Sequence, residues 1–87
     1  MKEKEGGPGQ ELIAHLGRLH TTERGVQRIQ SNLSLPGGTD VVYWCRERIR
    51  ATGSEIHRRG KNWYITSGDC CITVNAYSYT IITAHKR

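Results

Sequence analysis

Apolar residues at Leu12, Ile13, Leu16 and Leu19 recur at helical spacing, so the chain from Gln10 to about Arg18 reads as a short amphipathic helix. Thr21 or Thr22 can cap a second helix, with Glu23 in its first turn to complement the dipole and Val26, Ile29 and Leu33 as its apolar stripe. Pro36-Gly37-Gly38 is a strong break. Thr39 or Asp40 then caps a third helix that runs to about Thr52 and stops at Gly53. Its inward face holds Val41, Val42, Cys45 and Ile49, flanked by Trp44, while Arg46, Glu47 and Arg50 turn to water. After Gly53 the period changes from helical to alternating. Glu55–Arg59, Trp63–Thr66, Cys70–Asn75 and Ser78–His85 read as strands, joined by turns at Gly60-Lys61-Asn62, Ser67-Gly68-Asp69 and Ala76-Tyr77.

Helices first and strands afterwards predict an α+β fold: about three N-terminal helices packed on one face of a C-terminal four-stranded antiparallel meander. Residues 1–9, with Gly6-Gly7-Pro8-Gly9, are expected to form a flexible arm. Residues 10–87 form one α+β unit, its helical half at 10–52 and its sheet half at 54–87. If the last hairpin turns on Ala76 and Tyr77 alone, Val74 faces Tyr79 and Ile72 faces Ile81 on an apolar side. Thr73 then faces Thr80 and Asn75 faces Ser78 on a polar side suited to a ligand.

Composition narrows the class. The chain has 87 residues, 36% of them hydrophobic, and no apolar run approaches the roughly 20 residues of a spanning helix, so no membrane role is expected. Cys45, Cys70 and Cys71 are an odd number without C-x-x-C spacing, which predicts reduced thiols, a cytoplasmic setting and no metal or other cofactor. Charge is the stronger clue. Net charge is +5, and the stretch from Arg46 to Lys61 alone supplies +4 from Arg46, Arg48, Arg50, Arg58, Arg59 and Lys61 against Glu47 and Glu55. His85, Lys86 and Arg87 close the chain. Clustered cations attract polyanions through counterion release, although the same residues also serve as a solvated helix face and a charged strand edge.

His15, His20, His57 and His85 supply possible proton carriers. RNA cleavage by its own 2′-hydroxyl needs a base, an acid and positive charge on the phosphate. His85 or His20 could move protons, Arg58, Lys61 or Lys86 could carry the charge, and Thr80, Ser78 or Thr83 could hold the phosphate. Trp63, Tyr64, Tyr77 and Tyr79 lie close in sequence to the basic stretch, where bases could stack on them. No nucleophile elbow, paired carboxylates or phosphate-binding glycine loop is present.

The segments Leu19-His20-Thr21-Thr22-Glu23, Lys61-Asn62-Trp63-Tyr64 and Ile72 through Lys86 resemble a small bacterial and phage family of unknown function over about residues 11–87. The closing segment also resembles the last hairpin of the barnase–EndoU–colicin–RelE-like ribonuclease superfamily. That resemblance implies metal-independent RNA cleavage, or descent from it, on the open sheet face. It would make His20, Lys61, Thr80 and His85 catalytic, and Thr21, Asn75 and Ser78 contacts to RNA, joined by Arg46, Arg50, Arg58, Arg59 and Lys86 from the basic clusters. Alternation instead puts His85 on the side of Ile81 and Thr83. Either the strand ends before His85, or His85 packs against the helix that carries His20.

Two expectations follow: a candidate endoribonuclease, or a non-catalytic module binding nucleic acid or a nucleoprotein complex, as an inhibitor from a phage or mobile element would. A toxin-like nuclease would also need an antitoxin partner. A protein-interaction domain anchored by Trp44 or Trp63 is the third reading.

Overall fold

The computed structural model describes residues 8–87, and the arm expected at residues 1–9 lies for the most part outside them. The fold is α+β. Helix α1 spans Pro8–Ala14 and is followed by a single 3₁₀ turn at Leu16–Arg18; α2 spans Glu23–Leu33 and α3 Val41–Arg50. Strands β1 (Glu55–Arg59), β2 (Asn62–Ser67), β3 (Cys70–Asn75) and β4 (Ile81–Lys86) form an antiparallel meander in the order β1-β2-β3-β4. The expected first helix is thus broken in two, and the third stops before Thr52.

Each boundary has a local cause. Thr22 caps α2 by accepting a hydrogen bond from the Gly25 N–H at 3.0 Å, and Asp40 caps α3 by accepting from the Tyr43 N–H at 3.0 Å. Helix α2 ends on Ser34 in the left-handed region (φ 56°), and the Leu35 N–H bonds back to the Gln30 carbonyl at 3.0 Å. Gly60 (φ 59°) and Gly68 (φ 60°) take the first position of the two tight hairpin turns, where an L side chain is strained.

The helices cover one face of the sheet. Trp63, Ile65, Ile72, Val74, Ile81 and Ala84 point into a core completed by Leu12, Leu16, Leu19, Ile29, Leu33, Val41, Cys45 and Ile49. Trp63 is buried, with Tyr79 edge-on at 5.2 Å between ring centres, so it packs the core and is no anchor for a partner. Tyr64, next in sequence, points to the open face and is exposed. Side chains tie the layers together. Ser67 Oγ donates to the Arg48 carbonyl at 3.1 Å, and Arg46 Nε donates to the Leu16 carbonyl at 3.3 Å. The outer edge of β4 is also closed: Thr21 Oγ1 donates to the Ile81 carbonyl at 2.8 Å, and Asn32 Nδ2 to the Ala84 carbonyl at 3.2 Å. A Cβ on Gly25 would collide with the Thr21 hydroxyl, so glycine there lets Thr21 reach the strand.

The last hairpin departs from the expected register. Its loop is four residues, Ala76–Tyr79, rather than two: the Tyr79 N–H donates to the Asn75 carbonyl at 2.9 Å and the Asn75 N–H to the Thr80 carbonyl at 2.8 Å. Val74 therefore faces Ile81 instead of Tyr79, and Ile72 faces Ala84 instead of Ile81. Tyr79 adopts φ 62° to close the longer loop, a strain that its burial in the core sustains. A register irregularity between Thr73 and Val74 leaves Ile82 as the extra residue of β4, so Thr83 and His85 both emerge on the open face, opposite Thr73 and Cys71. His85 neither sits on the apolar side nor packs against the segment carrying His20.

Candidate functional site

Three segments without an acidic residue meet at one end of the sheet: 15–20, 58–62 and 75–80. The first is drawn in by a parallel bridge between His20 and Thr80, in which the His20 N–H donates to the Tyr79 carbonyl at 3.2 Å and the Ile81 N–H to the His20 carbonyl at 2.8 Å. The second is joined to the third by the Ala76 N–H, which donates to the Lys61 carbonyl at 2.7 Å. Arg18, His20, Arg58, Arg59 and Lys61 thereby come to the same end of the sheet, with Arg58 on the side of Trp63 and Arg59 on the side of Asn62 and Tyr64. Among the described residues, Arg18, Arg58, Arg59 and Lys61 form no ion pair.

Aromatic rings hold two of these cations. The Arg18 guanidinium carbon lies 4.2 Å from the Tyr79 ring centre. That of Arg58 lies 5.6 Å from Tyr77 and 5.8 Å from Trp63, while Arg58 Nε donates to the Gly60 carbonyl at 2.9 Å. Ordered guanidiniums lose less freedom when they engage an anion than free ones do.

A line of polar side chains runs through the same loop. His20 Nε2 is 3.1 Å from Thr80 Oγ1, which is 2.7 Å from Ser78 Oγ, which is 3.1 Å from Asn75 Oδ1. It continues through Asn75 Nδ2 to Asn62 Oδ1 at 3.5 Å, and Asn62 Nδ2 to Tyr64 Oη at 3.3 Å. His20 Nδ1 lies 3.1 Å from the Arg18 carbonyl and must donate to it, because a carbonyl only accepts. A neutral His20 therefore offers Nε2 as acceptor to the Thr80 hydroxyl. In a charged His20 the direction reverses: Nε2–H donates to Thr80, Thr80 to Ser78, and Ser78 to Asn75. With Nε2 accepting, the hydroxyl protons of Thr80 and Ser78 can make only two of the three links, so the line is complete only when Nε2–H donates.

The remaining expected site residues divide between structural positions and the opposite end. The hydroxyl of Thr21 is committed to β4 and the Nε of Arg46 to Leu16. Arg50 is paired with Glu47 at 3.4 Å at the end of α3. His85 and Lys86 stand opposite Cys71 and Cys70, beside the β2–β3 turn. His85 is five residues along the strand from Thr80, on the order of 16 Å at ~3.3 Å per residue. His20 and Lys61 thus share one end of the sheet, and His85 lies at the other. That far end is also cationic, with Arg87 donating to the Gly68 carbonyl at 3.2 Å, but it carries Asp69 and Glu55 as well. The role of Arg18 was missed in the sequence: the only signal was its place two residues before His20, and nothing local shows that Tyr79 folds beneath it.

Among the described residues, no three His, Cys, Asp or Glu side chains come together as metal ligands, and no helix is long and apolar enough to cross a membrane. Burial pushes the Cys45 thiol up to about 12, which makes it an inert core residue.

Fold and site together define a small α+β domain with a helix-covered sheet and a basic, hydroxyl-lined loop end. The chain belongs to the family described as Protein of unknown function (DUF3781), whose pattern matches residues 13–85. No curated protein and no solved structure matches it.

Proposed function

We propose that this domain binds RNA through the loop end of its sheet. The observation that carries the reading is the convergence of Arg18, His20, Arg58, Arg59 and Lys61 from three segments that contain no acidic side chain. Phosphates meet these cations, and the hydroxyls of exposed Ser78 and half-buried Thr80, with the amide of half-buried Asn75, offer partners to phosphate oxygens and ribose 2′-hydroxyls. The test is binding of labelled RNA across a salt series. Affinity should fall steeply with salt, and Arg58→Ala with Lys61→Ala should weaken binding about tenfold and reduce the salt slope by roughly two. Affinity indifferent to salt, or to this pair of changes, defeats the proposal.

RNA cleavage is the second reading, and a single observation favours it: the His20–Thr80–Ser78 hydrogen-bond line places a proton carrier among the cations. The resemblance to the ribonuclease superfamily belongs to this reading. With His85 at the far end, Lys61 is the second polar group at hand. Metal-free incubation yielding 2′,3′-cyclic phosphate ends, abolished by His20→Ala, would establish cleavage; intact RNA leaves binding as the function.

A further inference from the structure

We infer that the site takes single-stranded RNA, with one unpaired base stacked on Tyr77; this rests on the RNA-binding reading above. Tyr77 is the most exposed of the large hydrophobic residues among those described, at 67%, and stands at the tip of the β3–β4 loop. An aromatic ring left in water at a loop tip contributes nothing to the core. Its backbone is nevertheless fixed, since the Tyr77 N–H donates to Asn75 Oδ1 at 3.0 Å and the neighbouring Ser78 N–H to the same oxygen at 2.9 Å. The ring also has a cationic neighbour, the guanidinium of Arg58, which is itself held by the Gly60 carbonyl. A rigid aromatic platform beside fixed positive charge is the arrangement that single-strand binders use. The base gains stacking, the flanking phosphates meet the cations, and every base has a face to offer.

The neighbours of Tyr77 fit the rest of a nucleotide. On one side Ala76 is tied to Lys61, and on the other Ser78 begins the hydroxyl line to Thr80 and His20. A duplex keeps its bases stacked inside the helix and can offer this loop only its backbone, so paired RNA forfeits the contact with Tyr77. The loop end therefore separates unpaired from paired RNA, and Tyr77 determines that specificity.

The test compares an oligouridine of about twelve nucleotides, within the usual span of such sites, with an RNA hairpin duplex of equal charge. Binding is read by fluorescence anisotropy, and stacking by quenching of a 2-aminopurine placed in the single strand. The wild type is expected to prefer the single strand and to quench the probe. Tyr77→Ala should lose roughly 5- to 30-fold affinity for the single strand, keep its affinity for the duplex and abolish quenching, whereas Tyr77→Phe should stay within about twofold of wild type. Because the ring is exposed, the thermal midpoint of both variants should match the wild type. Salt-sensitive binding with equal affinity for both RNAs, or unchanged in Tyr77→Ala, overturns stacking and leaves the RNA-binding reading standing. Failure to bind either RNA overturns both.

Discussion

Asn75 accepts three hydrogen bonds through Oδ1, from the Tyr77 N–H, the Ser78 N–H and the Ser78 hydroxyl, and these decide the course of the last hairpin. An asparagine that bonds the backbone two and three residues ahead winds the chain into a wider loop than alternation alone would give. The residue type was legible as polar and outward-facing; the turn it builds was not, because two- and four-residue loops place Asn75 on the same face. Cys45 shows the reverse. Its position on the apolar stripe of α3 predicted burial, and it is fully buried. Burial has a measurable consequence at high pH. The folded protein holds the Cys45 proton to about 12, whereas the unfolded chain releases it near the ordinary thiol value of 9.0. The stability that this difference confers is complete below the unfolded value and lost as pH rises toward the folded one. At about pH 10.5 the loss should approach 2 kcal/mol. Urea midpoints of wild type and Cys45→Ala between neutral pH and pH ~10.5 would show it, with the alanine variant losing less as the pH rises.

At the scale of elements, helix starts and strand identities were readable in the chain because capping and alternation are local. Thr22 and Asp40 cap where the threonine pair and the Thr-Asp pair pointed, and β1 and β3 fall at their expected positions. Helix ends were less legible. Helix α2 stops on Ser34 at φ 56°, where glycine would be unstrained. Ser34→Gly should accordingly stabilise the domain by about 0.5–1 kcal/mol and raise its thermal midpoint by roughly 3–6 °C in a calorimetric scan. The bulge at Ile82 was the least legible feature. One extra residue reverses the facing of everything after it, and it arises because Val74 and Ile81 must pair across the longer loop while Ala84 still returns to the core beside Ile72.

Over the whole molecule, the positive charge that looks like one stretch in sequence is divided between two ends. Arg58, Arg59 and Lys61 go to the loop end, where Arg18 and His20 join them; Arg48 goes to the opposite end, where it and Lys86 both act on the Cys70 thiol. The two histidines named for acid–base chemistry are separated in the same way. His20→Ala should therefore weaken RNA binding severalfold, while His85→Ala should leave it within about twofold, both read by the same anisotropy titration. Equal losses from both variants would mean that RNA runs the length of the sheet. The amino-acid sequence by itself determined the α+β class, the three helices, the four-stranded meander and the presence of cations, hydroxyls and rings in the sheet half, because periodicity, caps and composition act over a few residues. Only the tertiary structure decided which of them meet. Loop length, the bulge in β4 and the bridge from His20 to Thr80 depend on packing between residues up to sixty positions apart, and no local pattern encodes that distance.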